Sequence, residues 1–242
     1  MIIYPAIDIR GGQCVRLVQG DFARETVYYE NPVEVAKKWE RQGAKWIHVV
    51  DLDGAKVGSP QNMDVILEIR EAVKANIQLG GGLRDMDTVR KYLDAGINRL
   101  VLGSAVIESP SMVRQAVAIF GPGRIAVGID ARKNMVATRG WTRTSGVTLR
   151  EFLAKISEYG IQRVIYTDIS RDGMMSGPDM EGLKNILSVG RFLVIASGGI
   201  ASLEDLERLR PFETKGLEGV VIGKALYNGV LKLAKIIETF EE

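Results

Sequence analysis

Two strand-like runs that end in glycine decide the fold. They are Ile77-Gln78-Leu79-Gly80-Gly81-Gly82, at residues 77–82, and Arg99-Leu100-Val101-Leu102-Gly103-Ser104, at residues 99–104. The segment between them has the apolar spacing of a helix. Glycines at a strand end let backbone N–H groups approach an anion closely, because no Cβ intervenes and positive φ values are accessible. Two such ends on neighbouring strands predict one phosphate-binding site.

The same pattern returns near the C-terminus. Residues 192–199 end in Ser197-Gly198-Gly199, a helical segment follows, and residues 219–224 end in Gly223-Lys224. Lys224 adds a cation, and a short helix after Gly223 would add a favourable dipole. One glycine cluster alone is also explained as a tight turn without a ligand. A duplicate 117 residues away predicts a ligand with two phosphates.

Four landmarks recur at nearly one offset, between 117 and 122 residues. The pairs are Asp8 with Asp130, Asp51 with Asp168, Gly81 with Gly198, and Gly103 with Gly223. The repeat predicts one domain over residues 1–242, built from two half-barrels of about 1–121 and 122–242. Neither half could close its sheet edges alone.

Short apolar runs alternate with amphipathic segments along the whole chain. We predict strands at 2–9, 46–50, 77–79, 99–102, 125–129, 163–166, 192–196 and 219–222. We predict helices at 32–42, 62–74, 86–95, 111–120, 149–159, 180–188, 203–209 and 230–240. Eight β-then-α units indicate an α/β protein with a (β/α)₈ (TIM) barrel. A doubly wound open sheet is disfavoured, since its glycine motif belongs after the first strand.

Composition narrows the class of partner. A formal net charge of +2, with no block of basic residues, argues against nucleic acid or a membrane surface as the partner. No apolar run approaches the ~18 residues of a membrane helix. The start of the chain lacks the features of a signal peptide. A single cysteine and a single histidine give neither a disulfide nor a His/Cys metal cluster. We therefore expect a cytoplasmic protein without a metal.

Five aspartates fall at strand ends or in the loop after the sixth strand: Asp8, Asp51, Asp130, Asp168 and Asp172. Carboxylates on opposite sides of a barrel mouth suit proton removal at one atom of a ligand and proton delivery at another. The alternative for each is a helix cap or a partner for Arg10, Arg84, Arg132 or Arg171. One barrel rim does not need five acids for capping, so the set as a whole favours acid–base chemistry.

Five other side chains are candidates for the site. His48 lies inside the second strand, where a packed structural role is favoured, and Cys14 is expected to be inert. Trp141 follows the fifth strand and either stacks on a flat heterocycle or anchors its loop. Arg16 and Arg139 either contact a phosphate or carboxylate or are solvated.

Seven motifs spread along the chain are similar to one enzyme family. The motifs are Pro5-Ala6-Ile7-Asp8, Val15-Arg16-Leu17-Val18-Gln19-Gly20-Asp21, His48-Val49-Val50-Asp51-Leu52-Asp53-Gly54-Ala55, Gly80-Gly81-Gly82-Leu83-Arg84, Gly128-Ile129-Asp130-Ala131-Arg132, Gly140-Trp141 and Thr167-Asp168-Ile169-Ser170-Arg171-Asp172-Gly173. They resemble the phosphoribosylformimino-aminoimidazole carboxamide ribotide (ProFAR) isomerases of histidine biosynthesis. The resemblance implies a duplicated (β/α)₈ enzyme that uses no cofactor or metal. The implied reaction is an Amadori rearrangement of an aminoaldose that bears two phosphates.

The resemblance also implies roles. Asp8 is expected to move the proton from C2 of the opened sugar. Asp172 is favoured as the acid that opens the ring, with Asp130 as the alternative; Asp130 and Thr167 would otherwise orient the sugar. Binding residues implied for the phosphates and the aminoimidazole are Arg16, Gly81, Gly82, Arg84, Gly103, Ser104, Trp141, Gly198, Gly199, Gly223 and Lys224.

Three other functions remain open at this point. The sister cyclase of the pathway shares the barrel, but it usually has Cys-Leu-Asp where this chain has Ala6-Ile7-Asp8, and nothing here requires its glutaminase partner. A bifunctional isomerase that also accepts phosphoribosylanthranilate has a turn like Arg139-Gly140-Trp141. The triple glycine at 80–82 slightly favours the isomerase with a single substrate over the bifunctional one. A non-enzymatic phosphoribosyl binder would need the glycines but not the aspartates.

Overall fold

The computed structural model of the protein describes residues 1–132, 135–138 and 143–241, with side chains described for 1–131 and 147–241. Twelve strands lie in these residues. In chain order they are β1 (Ile2–Arg10), β2 (Gln13–Val18), β3 (Asp21–Tyr29), β4 (Trp46–Asp51), β5 (Asn76–Gly80), β6 (Arg99–Leu102), β7 (Ile125–Arg132), β8 (Met135–Thr138), β9 (Arg143–Thr148), β10 (Arg163–Asp168), β11 (Leu193–Ser197) and β12 (Leu217–Ile222).

Eight of these strands form a closed parallel barrel. The order β10-β11-β12-β1-β4-β5-β6-β7 is closed by pairing of β7 with β10, in which Thr167 lies beside Asp130. The eight are the predicted strands, and closure removes every sheet edge from the barrel. The predicted (β/α)₈ barrel is confirmed, and the open doubly wound sheet is excluded.

Eleven α-helices lie in the described residues, and they include the eight that the sequence predicts. They are α1 (Pro32–Arg41), α2 (Leu52–Val57), α3 (Met63–Ala72), α4 (Met86–Asp94), α5 (Ala105–Glu108), α6 (Pro110–Phe120), α7 (Leu149–Glu158), α8 (Met180–Leu187), α9 (Leu203–Leu209), α10 (Lys224–Tyr227) and α11 (Leu233–Phe240); a 3₁₀ turn spans Arg210–Lys215. The three short helices α2, α5 and α10 follow barrel strands directly. None of the described helices is long and apolar enough to span a bilayer.

Two antiparallel additions lie at the carboxyl ends of β1 and β7. β2 pairs with β1 and with β3, while β8 pairs with β7 and with β9. None of the four strands in these additions is among the predicted strands. Gly11 and Gly12 make the tight β1–β2 connection, both with positive φ, so the chain reverses and places β2 beside the end of β1.

Strand register decides which side chains reach the barrel interior. Asp8 of β1 lies opposite Val50 of β4, and Ile9 lies opposite Asp51. Because successive side chains of a strand point to opposite faces, Asp8 and Asp51 face different sides of the barrel wall. The main apolar core, with Trp39 and Ile66 among its members, lies between the strands and the helices. A smaller cluster fills the interior: Tyr4, Ala6, Val101, Ala126, Ile165, Ile195 and Val221.

Candidate active site

An open cavity of about 220 Å³ lies at the carboxyl ends of the barrel strands. All eight barrel strands contribute to its lining, which is where active sites of (β/α)₈ barrels lie. Asp8, Asp130 and Thr167 line it from β1, β7 and β10, and Asp172 reaches it from the loop after β10. The structure therefore brings the four predicted catalytic residues together in one place.

Arg16 lies between two of these carboxylates. Its Nη1 donates to Oδ2 of Asp8 at 2.7 Å, and its Nη2 lies 3.9 Å from Oδ1 of Asp172. Only 8% of the residue is exposed, so of the two alternatives for Arg16 the structure shows contact with a carboxylate and excludes solvation. The guanidinium packs against Gly223, where any side chain would overlap it. Arg16 therefore links the base candidate, the acid candidate and the second glycine cluster.

The hairpin of β2 and β3 holds Arg16 in this position. Arg16 lies on β2, and the N–H of Gln19, at the end of that hairpin strand, donates to the carbonyl of Asp172 at 3.1 Å. The Gln19 side chain also donates to the carbonyl of Ser170 at 2.8 Å. These contacts tie the loop that carries Asp172 to the hairpin that carries Arg16.

Burial raises the pKa values of both carboxyl groups. The pKa of Asp8 is raised from 3.8 to about 6 by loss of solvent, an effect that Arg16 opposes and Asp172 reinforces. The pKa of Asp172 is also raised by burial and is held down in part by Arg16 and Lys224. Both carboxyl groups therefore bind a proton more tightly than an exposed aspartate does, which is the direction that acid–base chemistry near neutral pH requires.

Two of the five strand-end acids have structural roles instead. Asp51 is fully buried, and its carboxylate accepts from the backbone N–H groups of Gly54, Gln61 and Asn62 and from the Asn62 amide. Asp168 accepts from the N–H and hydroxyl of Ser170. For this pair the structure shows the capping alternative, since the two carboxylates cap and brace the loops after β4 and β10.

The first glycine cluster borders the same cavity. Gly81, Gly82, Arg84, Gly103 and Ser104 all line it. A side chain at Gly81 would overlap the Asp51 carbonyl, so glycine is required there by packing as well as by its φ of 103°. Within the described residues the Gly82 N–H donates to no protein acceptor, which leaves it available to an anion.

The second glycine cluster borders a smaller adjoining pocket. Gly198, Gly199, Gly223 and Lys224 line it, and Asp172 belongs to the lining of both pockets. Lys224 Nζ donates to the carbonyl of Gly173 at 2.9 Å, which fixes the ammonium at the pocket wall. Among the described residues, no acceptor receives the Gly199 N–H. The two clusters thus present matching backbone donors on either side of the carboxylates.

Comparison with known proteins identifies the family. A family model described as "Histidine biosynthesis protein" matches residues 2–232. The chain belongs to the histidine biosynthesis protein family. Its barrel and its strand-end acids are thus features of a histidine biosynthesis protein.

Curated relatives in this histidine biosynthesis family are similar over almost the whole chain. A protein of Synechocystis sp. is 50% identical over 98% of this chain and 92% of its own length. Proteins of Syntrophus aciditrophicus and Geobacter sulfurreducens are each 47% identical over 98% of this chain and 98% and 97% of their lengths. All three are named 1-(5-phosphoribosyl)-5-((5-phosphoribosylamino)methylideneamino)imidazole-4-carboxamide isomerase, the formal name of ProFAR isomerase.

Two polar residues outside the predicted catalytic and binding set lie in the cavity of this histidine biosynthesis protein, and for one of them, His48, the sequence favours a packed structural role. His48 and Ser197 line it, from β4 and β11. Burial, with a further contribution from Arg16, lowers the pKa of His48 to about 4. The alternation of side chains along a strand predicts both positions, because His48 and Ser197 lie two residues from Val50 and Ile195 and therefore share the inward face of their strands. The predicted contacts of Trp141 and Arg139 fall outside the described residues, as does the Arg132 side chain.

Proposed function

We propose that the protein converts ProFAR, the aminoaldose in the name of its relatives, into the corresponding aminoketose by an Amadori rearrangement. The observation that carries the proposal is the position of Asp8, Asp130 and Asp172 in cavities that also contain two glycine clusters. A ligand with a phosphate at each end would place its sugar between those clusters. The names and similarity of the relatives support the same substrate.

Binding uses the two clusters as phosphate sites. One phosphate is bound by the Gly82 N–H and its neighbours Gly103, Ser104 and Arg84, and the other by the Gly199 N–H with Gly198, Gly223 and Lys224. Backbone N–H groups and cations are the donors that proteins use for phosphate. Fixing both ends of the substrate holds the reacting sugar in one orientation over the carboxylates.

Ring opening is the first chemical step. Asp172, whose pKa is raised by burial, donates a proton to the ring oxygen of the furanose, and the bond between that oxygen and C1 breaks. The nitrogen lone pair forms the C1–N double bond, so the product of this step is a protonated imine. Asp130 and Thr167, which are neighbours in the β7–β10 register, orient the sugar hydroxyls.

Proton transfer at carbon completes the rearrangement. Asp8 as carboxylate removes the hydrogen from C2, and the electron pair of that bond neutralises the iminium and leaves an enolamine. The C2 hydroxyl then loses its proton as C1 gains one, which gives the ketone at C2 and an amine at C1. Substrate and product have the same composition, so the balance of the reaction needs no oxidant, reductant or second substrate.

The proposal also covers the binding partner and the cellular compartment of the protein. The partner is a small bisphosphorylated ribotide, with no nucleic acid, membrane or second protein chain required, and we assign the protein to the cytoplasm.

We also propose that it is one domain, residues 1–242, formed by half-barrels of about 1–121 and 122–242. The matching roles of Asp51 and Asp168 as loop caps support that division.

The test is an assay of the purified protein with ProFAR and, separately, with phosphoribosylanthranilate. We expect turnover of ProFAR without added metal. Asp8→Asn should lose about 10²–10⁴-fold in rate while substrate still binds. An unchanged rate in that variant would exclude the mechanism. The named relatives give no support to the bifunctional alternative, so we expect no comparable turnover of phosphoribosylanthranilate.

A further inference from the structure

A chain of polar side chains runs through the barrel interior beneath the cavity. His48 lies at its upper end, where its ring lines the cavity. Nε2 of Gln78 lies 2.9 Å from Nδ1 of His48, and Nη1 of Arg99 lies 3.1 Å from Oε1 of Gln78. Gln78 is fully buried and Arg99 is 4% exposed. Interiors of such barrels are usually filled by branched apolar side chains, so three connected polar side chains in this position are a departure from ordinary packing.

The direction of each hydrogen bond follows from its donors. A guanidinium has only N–H donors, so Arg99 must donate to Oε1 of Gln78. The amide nitrogen of Gln78 is thereby turned toward His48 and donates to Nδ1. Nδ1 then carries a lone pair, and a neutral imidazole with its lone pair on Nδ1 carries its proton on Nε2. Nε2 is the ring nitrogen left for a ligand in the cavity.

Arg99 is itself held firmly, which makes it a suitable anchor. Its guanidinium stacks on the Trp46 ring at 4.1 Å from the centroid and donates to the Tyr4 hydroxyl at 3.3 Å. Its Nη1 lies 3.9 Å from Glu218, which also accepts two hydrogen bonds of 2.6 Å from Arg163. These partners hold the guanidinium in place, so that Nη1 stays directed at Oε1 of Gln78.

We propose that Gln78 and Arg99 are positioning residues that hold His48 as a neutral imidazole with its proton on Nε2, so that the ring donates a hydrogen bond to a sugar oxygen of the bound substrate. The identity of that acceptor rests on the proposed function, whereas the tautomer does not. An imidazolium would add a second cation beside Arg16 in this buried site, which favours the neutral ring. A neutral donor at the floor of the cavity contacts the substrate without exchanging protons with Asp8.

The sequence provides a clean measurement, because His48 is the only histidine. A long-range ¹H–¹⁵N correlation spectrum of the ¹⁵N-labelled wild-type chain contains one imidazole, and its two nitrogen shifts distinguish the tautomers from each other and from imidazolium. We expect a neutral ring protonated on Nε2 at pH 7 and no titration down to about pH 5. A ring protonated on Nδ1, or an imidazolium at pH 7, would overturn the proposal.

Gln78→Glu tests the positioning role. The introduced carboxylate has only acceptors to offer its two neighbours, Arg99 and His48. Nδ1 of His48 must then donate, and the two imidazole ¹⁵N shifts should change to those of a ring protonated on Nδ1. We expect kcat/KM for ProFAR to fall about tenfold or more, the effect of one hydrogen bond to substrate. Gln115→Glu, the same change at an exposed position of α6, should alter neither readout. An unchanged tautomer would refute the positioning role of Gln78, and a changed tautomer with an unchanged rate would refute the role of His48 as a donor to substrate.

Three further variants keep the test decisive. If Gln78→Glu does not fold, Arg99→Met frees the Gln78 amide to turn, and His48 should then show a mixture of tautomers. His48→Gln, which retains an N–H near the position of Nε2, should keep more activity than His48→Leu; equal loss would count against the donor role. If the wild-type protein fails to convert ProFAR, the proposed function fails, while the tautomer measurement still stands on its own.

Discussion

Arg16 donates to Asp8 at 2.7 Å across the antiparallel pairing of β2 with β1. The contact affects the ionisation of the proposed base, because burial raises the pKa of Asp8 to about 6 and Arg16 prevents a larger rise. A carboxylate with a pKa near 6 is ionised at neutral pH yet more basic than an exposed aspartate. In the proposed mechanism the hairpin thus acts on the base, although it lies outside the barrel.

The first prediction concerns the pH dependence of catalysis. Asp8 must be ionised to take the C2 proton, so kcat/KM should fall tenfold per pH unit below about 6. Arg16→Met removes the opposing charge and should move this acid limb upward by roughly one pH unit or more. Initial rates between pH 4.5 and 8.5 measure both effects. Arg150→Gln, at an exposed position of α7, is the control; an acid limb that stays in place in Arg16→Met would contradict the assigned role.

The second prediction concerns stability and has a definite sign. The folded state binds the Asp8 proton more tightly than the unfolded state, so this group favours folding below about pH 4, and its contribution is lost as the pH rises to about 6. The shift from 3.8 to about 6 corresponds to on the order of 3 kcal/mol. Asp8→Asn should therefore be more stable than wild type at pH 7, by an amount that disappears toward pH 4.

Denaturant unfolding at several pH values tests this second prediction. The difference in the free energy of unfolding between Asp8→Asn and wild type should grow between pH 4 and 6 and stay constant above that range. Asp94→Asn, at an exposed position of α4, provides the comparison. A difference that is independent of pH would show that the variant acts through packing and not through ionisation.

The third prediction separates a structural aspartate from a catalytic one. Asp51→Ala removes the acceptor of four hydrogen bonds inside the protein. Buried donors without an acceptor cost about 1–3 kcal/mol each before relaxation, so the free energy of unfolding should drop by roughly 2–5 kcal/mol. At a temperature where the variant is still folded, its kcat should remain within about tenfold of wild type. A stable but inactive Asp51→Ala protein would contradict this prediction and show that Asp51 takes part in catalysis.

Strand parity explains how much of the site the sequence could predict. The alternation of apolar runs and helices predicts the barrel, because strands buried on both faces have a plain apolar signature. The position of an aspartate at a strand end does not say which way it points. Asp8 and Asp130 face the cavity. Asp51 and Asp168 each follow a cavity-lining residue, Val50 or Thr167, so they point to the opposite face of the strand and cap loops instead.

The two antiparallel additions could not be predicted in the same way. β3 is mostly exposed, and its polar residues lack the apolar pattern that marks a barrel strand. Arg16 lies on β2, which is also not among the predicted strands, and its burial between two acids depends on contacts with Asp8 of β1 and with the loop after β10. Such a contact between distant segments has no local sequence signal.

The fourth prediction concerns the second phosphate site. Lys224→Met removes a cation from the pocket that Gly198, Gly199 and Gly223 line. Charge-assisted hydrogen bonds are worth about 1.5–3 kcal/mol, so KM for ProFAR should rise about 10–100-fold, with a smaller change in kcat. Steady-state kinetics measure the split. Lys155→Met, at an exposed position of α7, should leave KM unchanged; if KM in Lys224→Met does too, the phosphate site lies elsewhere.

The last prediction uses two glycines of the first cluster that differ in their surroundings. A Cβ at Gly103 would have no neighbour within 4 Å and would project into the open cavity, whereas one at Gly81 would overlap the Asp51 carbonyl. Gly103→Ala should therefore keep the melting temperature of wild type and raise KM for ProFAR, because the methyl group occupies space that the phosphate needs. Gly81→Ala should unfold at a clearly lower temperature, since its φ of 103° and its packing both exclude a side chain. A Gly103→Ala protein with wild-type KM would show that no phosphate is bound at the end of β6.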